Sequence, residues 1–222
     1  MIPGLRRKPK IFVIGFNRCV TTSLHVLFKR NRIPSLHYHV RERDVTLPHL
    51  LSTNLSLGQP LLGKINRWTA YSDMGSVTRF SIFEGARLFR QFHAEHPDAY
   101  FILNTRPLDK WIQSRLGHLK GQYARNFAAC AGVDEAKLPN IWRKQREAHH
   151  TDVRSYFAGN ESRFLEFDIE AGDPAQIRDF LSPDHPIDIA HWGKRNETRP
   201  LYADEGAGPP LTAGGEAHIN TN

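Results

Sequence analysis

The chain alternates short apolar runs with longer segments whose apolar residues recur at helical spacing. Residues 11–14 and 99–105 are short, mostly apolar runs, typical of parallel strands that are buried on both faces. Residues 138–157, and the segment that begins at Thr21, instead place apolar side chains on one face of a helix. This alternation predicts an α/β fold with a central parallel sheet flanked by helices on both faces.

Shorter signals predict the remaining elements. Apolar residues recur at helical spacing from Ile82 to Phe92 and stop before Pro97, so this segment is interpreted as a helix. Gly58 is suited to the left-handed conformation at the end of another helix. The other predicted elements are strands over residues 35–40, 69–74 and 164–167, and helices over residues 47–57 and 173–181.

Length and composition are those of an ordinary globular protein. The chain has 222 residues, of which 40% are hydrophobic and 24% are charged. We therefore expect residues 1–200 to form a single domain. Residues 201–222 are rich in Gly, Ala and Pro and poor in bulky apolar side chains, so we expect a disordered tail there.

The charge is strongly basic outside that tail. The formal net charge is +7, and the last 22 residues hold three acidic residues and no Lys or Arg, so residues 1–200 carry +10. Such a field attracts nucleotides, acidic glycans and other polyanions. No nucleic-acid-binding motif accompanies the charge, so we expect no specific nucleic-acid partner.

Three features predict a cytoplasmic protein without a membrane span. The chain has two cysteines, too few for a disulfide framework. The apolar run that begins at Ile11 resembles the core of a signal peptide, but Asn17 and Arg18 interrupt it before it reaches the necessary length. No other stretch approaches the roughly 20 apolar residues of a spanning helix.

The first predicted strand runs into a loop that starts at Gly15 and opens a helix. Such a junction gathers free backbone N–H groups and the positive end of a helix dipole at one point, which therefore binds anions. Thr21, Thr22 and Ser23 add hydroxyl donors, and Arg18 adds a fixed positive charge. The alternative is that the hydroxyls only cap the helix and that Arg18 is solvated.

Two other classes of protein also use such a loop or such a charge. A Walker A loop, GxxxxGK[ST], needs a second glycine and a lysine, but Val20 and Thr21 stand at those positions. A P-loop kinase would therefore lack the lysine that contacts the phosphates. A non-catalytic protein that binds anions or nucleic acid remains the second alternative, because it needs only the basic field.

The segment from Gly15 to Leu24, GFNRCVTTSL, resembles the 5′-phosphosulfate loop of sulfotransferases, G-x-x-[KR]-[ST]-G-T-[TS]-[SW]-L. The resemblance implies a P-loop-like fold and a loop that binds the co-substrate 3′-phosphoadenosine 5′-phosphosulfate, without a metal. Arg18 takes the basic position, where a permanently charged guanidinium is expected to act electrostatically in catalysis. The cofactor-binding residues implied in this loop are Gly15, Asn17, Arg18, Cys19, Val20, Thr21, Thr22 and Ser23.

Val20 departs from the family pattern, which has glycine at this position. A β-branched residue resists the positive φ that glycine adopts freely. We therefore expect either that the loop has an ordinary φ at Val20 or that cofactor binding is impaired.

The family's second phosphate-binding element is a strand that ends in Arg, with a Ser eight residues later. Arg106 and Ser114 have this spacing, and a planar guanidinium fork suits a phosphate. The resemblance implies that both residues bind the 3′-phosphate. Lys194 and Arg195 lie in a segment similar to the family's late basic loop, and they are further cofactor candidates unless that loop is simply solvated.

Transfer to a hydroxyl or amine acceptor needs a base that takes the acceptor's proton. Asp73 is the first candidate, because residues 70–74 resemble the family's Y-D-A-x-x-D-x-P segment, although Gly75 stands where proline is usual. The alternatives for Asp73 are to cap a helix that begins near Thr78 or to pair with a neighbouring arginine. His37 and His39 are rival bases, since imidazole titrates near neutral pH. The sequence leaves the acceptor and the oligomeric state open.

Overall fold

The computed structural model describes residues 8–193 and places a parallel sheet at their centre. In chain order the strands are β1 (Ile11–Val13), β2 (Ser35–His37), β3 (His39–Val40), β4 (Val45–Thr46), β5 (Ala70–Ser72), β6 (Gly75–Val77), β7 (Ile82–Glu84), β8 (Tyr100–Thr105) and β9 (Phe164–Asp168). The helices are α1 (Thr21–Arg30), α2 (Leu47–Ser56), α3 (Phe89–Glu95), α4 (Leu108–Leu116), α5 (Gln122–Ala131), α6 (Leu138–Phe157) and α7 (Ala175–Leu181).

The central sheet has five strands in the order β2-β5-β1-β8-β9, and every pairing is parallel. Ile11 of β1 lies opposite Ala70 of β5 and Tyr100 of β8. Because all five strands run in the same direction, their carboxyl ends share one edge of the sheet. Loops that follow these strands are therefore brought side by side.

Successive side chains of β1 enter different cores, because a strand points alternate residues to opposite faces of a sheet. Phe12 packs with Phe89, Phe92 and Phe157 in a core beneath α3 and α6. Ile11 and Val13 pack in a second core on the other face. The second core is completed by side chains of α1 and α7, namely Leu24, Leu27, Phe28, Ile177 and Leu181. The predicted α/β fold with helices on both faces is thus confirmed.

A third buried cluster lies beside the loop that follows β1. Phe16 and Cys19 of the loop are 2% and 1% exposed, and they pack with Trp111 of α4 and Trp142 of α6. Phe127 of α5 contacts Trp142 with the two rings edge to face. The loop is therefore fixed to the protein by apolar side chains at two of its own positions.

Some predicted elements differ from the observed ones. The predicted helix from Ile82 begins instead as strand β7, which pairs with β6 in a hairpin, and only residues from Phe89 form the α-helix. Thr78 lies in the turn of that hairpin, where its hydroxyl accepts from the Ser81 N–H, so Asp73 caps no helix there. The predicted strand over residues 35–40 is broken at Tyr38, whose φ is 57°. Helix α5 was not predicted.

The remaining sequence expectations concern residues or properties beyond this architecture. Lys194, Arg195 and the tail predicted over residues 201–222 lie outside the described residues. Among residues 8–193, no helix combines the length and apolar character needed to cross a bilayer. Within the same range, no group of three or more His, Cys, Asp or Glu side chains is suited to hold a metal ion.

A buried ion pair ties α4 to the hairpin. Arg115 is 0% exposed, and its Nη2 donates to Glu84 Oε1 at 2.7 Å while the Glu84 side chain is 8% exposed. The guanidinium also lies against the rings of Trp111 and Trp142. A buried charge without its partner is strongly destabilising, so each of these two residues requires the other.

Substituting Glu84→Ala is expected to lower the free energy of unfolding by about 3–5 kcal/mol, because the Arg115 charge would remain buried and unpaired. Asp152→Ala removes a half-exposed partner of Arg90 and serves as the control, with an expected loss of less than about 1 kcal/mol. Urea denaturation of both variants measures the difference. Equal losses would show that the Arg115–Glu84 pair contributes no more than a surface pair.

Candidate active site

The residues at the carboxyl ends of the five sheet strands form a row along one edge. His37 ends β2, Asp73 follows β5, and the loop that starts at Gly15 follows β1. Arg106 follows β8 and Glu170 lies just beyond β9. The strand order alone therefore places the predicted base candidates on one side of the loop and the predicted phosphate-binding arginine on the other.

Asn104 of β8 holds the loop after β1. Its Oδ1 accepts from the Gly15 N–H at 2.9 Å, and its Nδ2 donates to the Cys19 carbonyl at 2.6 Å. A Cβ on Gly15 would lie 2.0 Å from the Asn104 backbone oxygen, so this close approach requires glycine. The Gly15 N–H is thus used inside the protein, and sequence reasoning had passed over Asn104 as one residue of a buried strand.

Two other loop residues point their side chains into the protein. Asn17 Oδ1 accepts from Arg115 Nε at 3.0 Å, and the Asn17 carbonyl accepts from Trp111 Nε1 at 3.0 Å. Burial raises the pKa of the Cys19 thiol to about 11. Asn17 and Cys19 therefore anchor the loop through their side chains.

The loop backbone is left-handed at two positions. Arg18 has φ 69° and Val20 has φ 57°. Of the two alternatives stated for Val20, an ordinary φ is therefore wrong, and impaired cofactor binding stays a prediction. Backbones that include left-handed residues form concave sites lined by N–H groups. Within residues 8–193, no acceptor is found for the N–H groups of residues 18–22, and the next N–H, of Ser23, donates to Val20 O at 3.1 Å.

The hydroxyl residues of the first helical turn differ in exposure. Thr21 and Ser23 are 5% and 1% exposed, whereas Thr22 is partly exposed. The Thr22 hydroxyl lies 3.5 Å from His37 Nε2. Thr22 is therefore the hydroxyl that connects the loop to the end of β2.

The two predicted phosphate-binding elements meet at Arg18. Arg18 Nε donates to Ser114 Oγ at 3.0 Å, and Arg106 Nη1 lies 3.4 Å from the Arg18 carbonyl. Partial burial lowers the pKa of Arg18, an effect that nearby Asp73 opposes and Arg106 reinforces. Two guanidinium groups and one hydroxyl thus converge beside the unpaired N–H groups of the loop.

Arg146 of α6 and Glu170 after β9 fix the position of Arg106. Arg146 Nη2 donates to the Arg106 carbonyl at 2.5 Å. Glu170 Oε1 accepts from Arg106 Nη2 at 2.7 Å, and its other carboxylate oxygen accepts from Lys110. Sequence reasoning missed both Arg146 and Glu170, because each reaches Arg106 across the sheet edge from a distant part of the chain.

Asp73 and His37 form a cluster on the other side of the loop. His37 Nε2 lies 3.7 Å from Asp73 Oδ2, and His37 Nδ1 lies 3.1 Å from Ser72 Oγ. Burial raises the pKa of Asp73 to about 6, against the opposing charge of Arg18, and burial lowers the pKa of His37 to about 4. The imidazole is therefore neutral wherever Asp73 is charged, and the two do not form an ion pair.

The rival base His39 is oriented differently. Its Nε2 lies 3.3 Å from Asp44 Oδ1, a carboxylate that is 98% exposed at the turn between β3 and β4. The left-handed conformation of Tyr38 separates His39 from β2. Of the two candidate histidines, His37 is the one that contacts both the loop and Asp73.

Comparison with known proteins identifies one family. The family model described as "Sulfotransferase domain" matches residues 10–135, which is more than half of the chain. The matched part contains the loop after β1, Asp73, Arg106 and Ser114, and it ends before β9. The comparison with curated proteins gives no match.

The left-handed conformation of Val20 predicts an unusual order of stabilities. The left-handed conformation costs a residue with a Cβ roughly 1–2 kcal/mol relative to glycine. We therefore expect Val20→Gly to be about 1 kcal/mol more stable than Val20→Ala. Thermal or urea unfolding of the two variants tests this order. At exposed Ala148 of α6, Ala148→Gly should instead lose about 1 kcal/mol. If Val20→Ala were the more stable variant, the loop would not be left-handed at Val20 in solution.

Proposed function

The chain belongs to the sulfotransferase family, and we propose that it moves a sulfuryl group from 3′-phosphoadenosine 5′-phosphosulfate to a hydroxyl or amine acceptor. The observation that carries this proposal is the convergence of Arg18, Arg106 and Ser114 beside a loop with unpaired N–H groups. One such element binds an anion of any kind. Two anion-binding elements that lie side by side suit a nucleotide with phosphate groups at both its 5′ and its 3′ position.

The residues fit this donor by charge and by hydrogen-bonding capacity. The N–H groups of residues 18–22, the Thr22 hydroxyl and Arg18 would hold the 5′-phosphosulfate. Arg106 and Ser114 would hold the 3′-phosphate, because a guanidinium matches two phosphate oxygens. The proposed roles of Lys194 and Arg195 in covering the 3′-phosphate rest on the resemblance of their segment to the family alone.

When bound, the donor supplies a sulfuryl group on a phosphate leaving group. In the proposed in-line displacement the acceptor oxygen or nitrogen forms a bond to sulfur, while the bond from sulfur to the bridging oxygen breaks. Adenosine 3′,5′-bisphosphate leaves with the bonding electrons. Arg18 and the loop N–H groups stabilise the negative charge that grows on the leaving oxygen. Since a guanidinium stays protonated, Arg18 acts through its charge and not as an acid.

Asp73 is the proposed base that takes the acceptor's proton. Its raised pKa, about 6, lets the carboxylate be charged at neutral pH while it remains a better proton acceptor than an ordinary aspartate. His37 is proposed to support this carboxylate from 3.7 Å. As its pKa is lowered to about 4 by burial, His37 would remain neutral throughout the reaction.

The alternatives are supported less well. A P-loop kinase would need a lysine where Thr21 stands. A non-catalytic relative needs only an anion site, and it leaves the polar cluster of Asp73 and His37 without a use. We further propose that residues 1–200 form one domain and that the protein is cytoplasmic, as the size of the chain and its two cysteines suggest.

Calorimetric titration with adenosine 3′,5′-bisphosphate tests the proposed donor site. Arg106→Ala is expected to weaken binding by about tenfold to a hundredfold, because charge-assisted hydrogen bonds to the 3′-phosphate are lost. Arg178→Ala removes an exposed arginine of α7 that pairs with Asp179 and should leave the affinity unchanged. Absence of binding to the unmodified protein, or equally tight binding of ATP, would contradict the proposed function.

The role of Asp73 predicts a specific pH dependence. The transfer rate should fall as pH decreases through about 6, because protonation removes the base, whereas an ordinary aspartate would be protonated only near a pH of about 3.9. NMR titration of the Asp73 carboxyl carbon, assigned by comparison with Asp73→Asn, measures this pKa without an acceptor. Asp73→Asn should retain bisphosphate affinity and lose roughly 10²–10⁴ in rate with any acceptor found by screening with labelled donor. If the Asp73 carboxyl titrated near 4 and Asp73→Asn kept the rate of the unmodified protein, Asp73 would be excluded as the base.

A further inference from the structure

The arginine that is proposed to bind the 3′-phosphate already holds a carboxylate of the same chain. Arg106 Nη2 donates to Glu170 Oε1 at 2.7 Å, and the other oxygen of Glu170 accepts from Lys110. Carboxylate and phosphate bind a guanidinium in the same way, through oxygens in the plane of the fork. Glu170 therefore uses a part of Arg106 that a phosphate would also use.

The surroundings of Glu170 allow it to leave Arg106. The Glu170 side chain is 26% exposed and Lys110 is 62% exposed, so solvent reaches this end of the pair. The backbone below is fixed separately, because the Glu170 and Ala171 N–H groups donate to Asp168 Oδ1 at 2.8 and 3.2 Å. The side chain can thus rotate away while its loop keeps its shape.

Glu170 does not satisfy all the hydrogen-bond donors of the Arg106 guanidinium. Its Nε is buried and has no partner among the described residues, and its Nη1 makes only a long contact of 3.4 Å with the Arg18 carbonyl. Hydrogen bonds from Lys110 and Arg106 lower the pKa of Glu170, so the carboxylate is charged at neutral pH. Glu170 thus places a negative charge between Arg106 and Lys110.

We propose that Glu170 is an internal competitor for the 3′-phosphate: it occupies Arg106 and Lys110 in the free protein and is displaced when a 3′-phosphorylated nucleotide binds. This inference rests on the proposed function. It assigns to Glu170 a role in affinity and specificity, because only ligands with a 3′-phosphate must move it. Once Glu170 has left, Lys110 becomes a second cation for the incoming phosphate.

The opposite role for Glu170 is to position Arg106 for the ligand. The two roles predict effects of opposite sign. If Glu170 competes, a neutral residue of the same shape should raise the affinity for the phosphate, since no charge has to be displaced. If Glu170 positions Arg106, the same substitution should lower that affinity.

The test uses Glu170→Gln with two nucleotides in calorimetric titrations of the full chain. Adenosine 3′,5′-bisphosphate contains the 3′-phosphate, and adenosine 5′-monophosphate lacks it. Glu170→Gln is expected to bind the bisphosphate roughly fivefold to tenfold more tightly than the unmodified protein does, with less than about a twofold change for the monophosphate. Glu135→Gln, at an exposed residue between α5 and α6, makes the same change in net charge and should alter neither affinity.

Each other outcome overturns the inference in a recognisable way. An unchanged or reduced bisphosphate affinity in Glu170→Gln, with good binding by the unmodified protein, rejects competition and leaves the proposed function intact. An equal gain for both nucleotides rejects a role specific to the 3′-phosphate. If neither protein prefers the bisphosphate to the monophosphate, the proposed donor site and this inference both fail. Both proteins are compared at a temperature where each is fully folded, because partial unfolding of a variant would by itself weaken its apparent affinity.

Discussion

The hydrogen bonds of the Asn104 side chain hold together the part of the structure on which the site depends. The parallel pairing of β1 with β8 ends in the bond from the Ile14 N–H to the Ile102 carbonyl at 2.8 Å. The Asn104 amide then extends the connection by one residue, to Gly15, and returns to the Cys19 carbonyl. Because Asn104 is 0% exposed, both of its polar groups need partners. The Gly15 N–H and the Cys19 carbonyl satisfy them, so one side chain of β8 fixes the loop at two of its positions.

That shape stores backbone strain. Left-handed conformations at Arg18 and Val20 in the loop, and at Tyr38 and Asp73 after the neighbouring strands, bring unfavourable φ values to one edge of the sheet. Such conformations persist only where the surroundings determine them. For the loop, the surroundings are the third buried cluster, which holds Phe16 and Cys19 on either side of Arg18, and Cys19 directly precedes Val20. Packing of α4, α5 and α6 thus keeps the N–H groups of the loop in place.

Features of the fold and site that are set by residues close together in the sequence could be predicted, whereas features set by contacts between distant residues could not. The runs at β1 and β8, the helix from Thr21 and the spacing of Arg106 and Ser114 are local, and the sequence showed them. Residues 82–92 were misjudged because a hairpin strand followed by a short helix can imitate helical spacing over a few residues. The role of Asn104 could not be predicted from its neighbours in the sequence, because its hydrogen-bond partners, Cys19 and Gly15, lie 85 and 89 positions away. Glu170 is likewise 64 positions from Arg106, and only the order of strands in the sheet brings them together.

The arginines near the loop show why net charge alone describes the site poorly. Arg115 is paired with buried Glu84, and Arg146 is held by the Thr105 hydroxyl and the Arg106 carbonyl, so both serve mainly to support the structure. Arg18 contacts a neutral serine, and Arg106 contacts a carboxylate that solvent reaches. A charge that is held in place but not neutralised by a buried partner retains its field for a ligand, and that field is strongest where water is excluded. Of these four arginines, Arg18 and Arg106 combine fixed position with charge that a ligand can still use, and both lie at the open edge of the sheet.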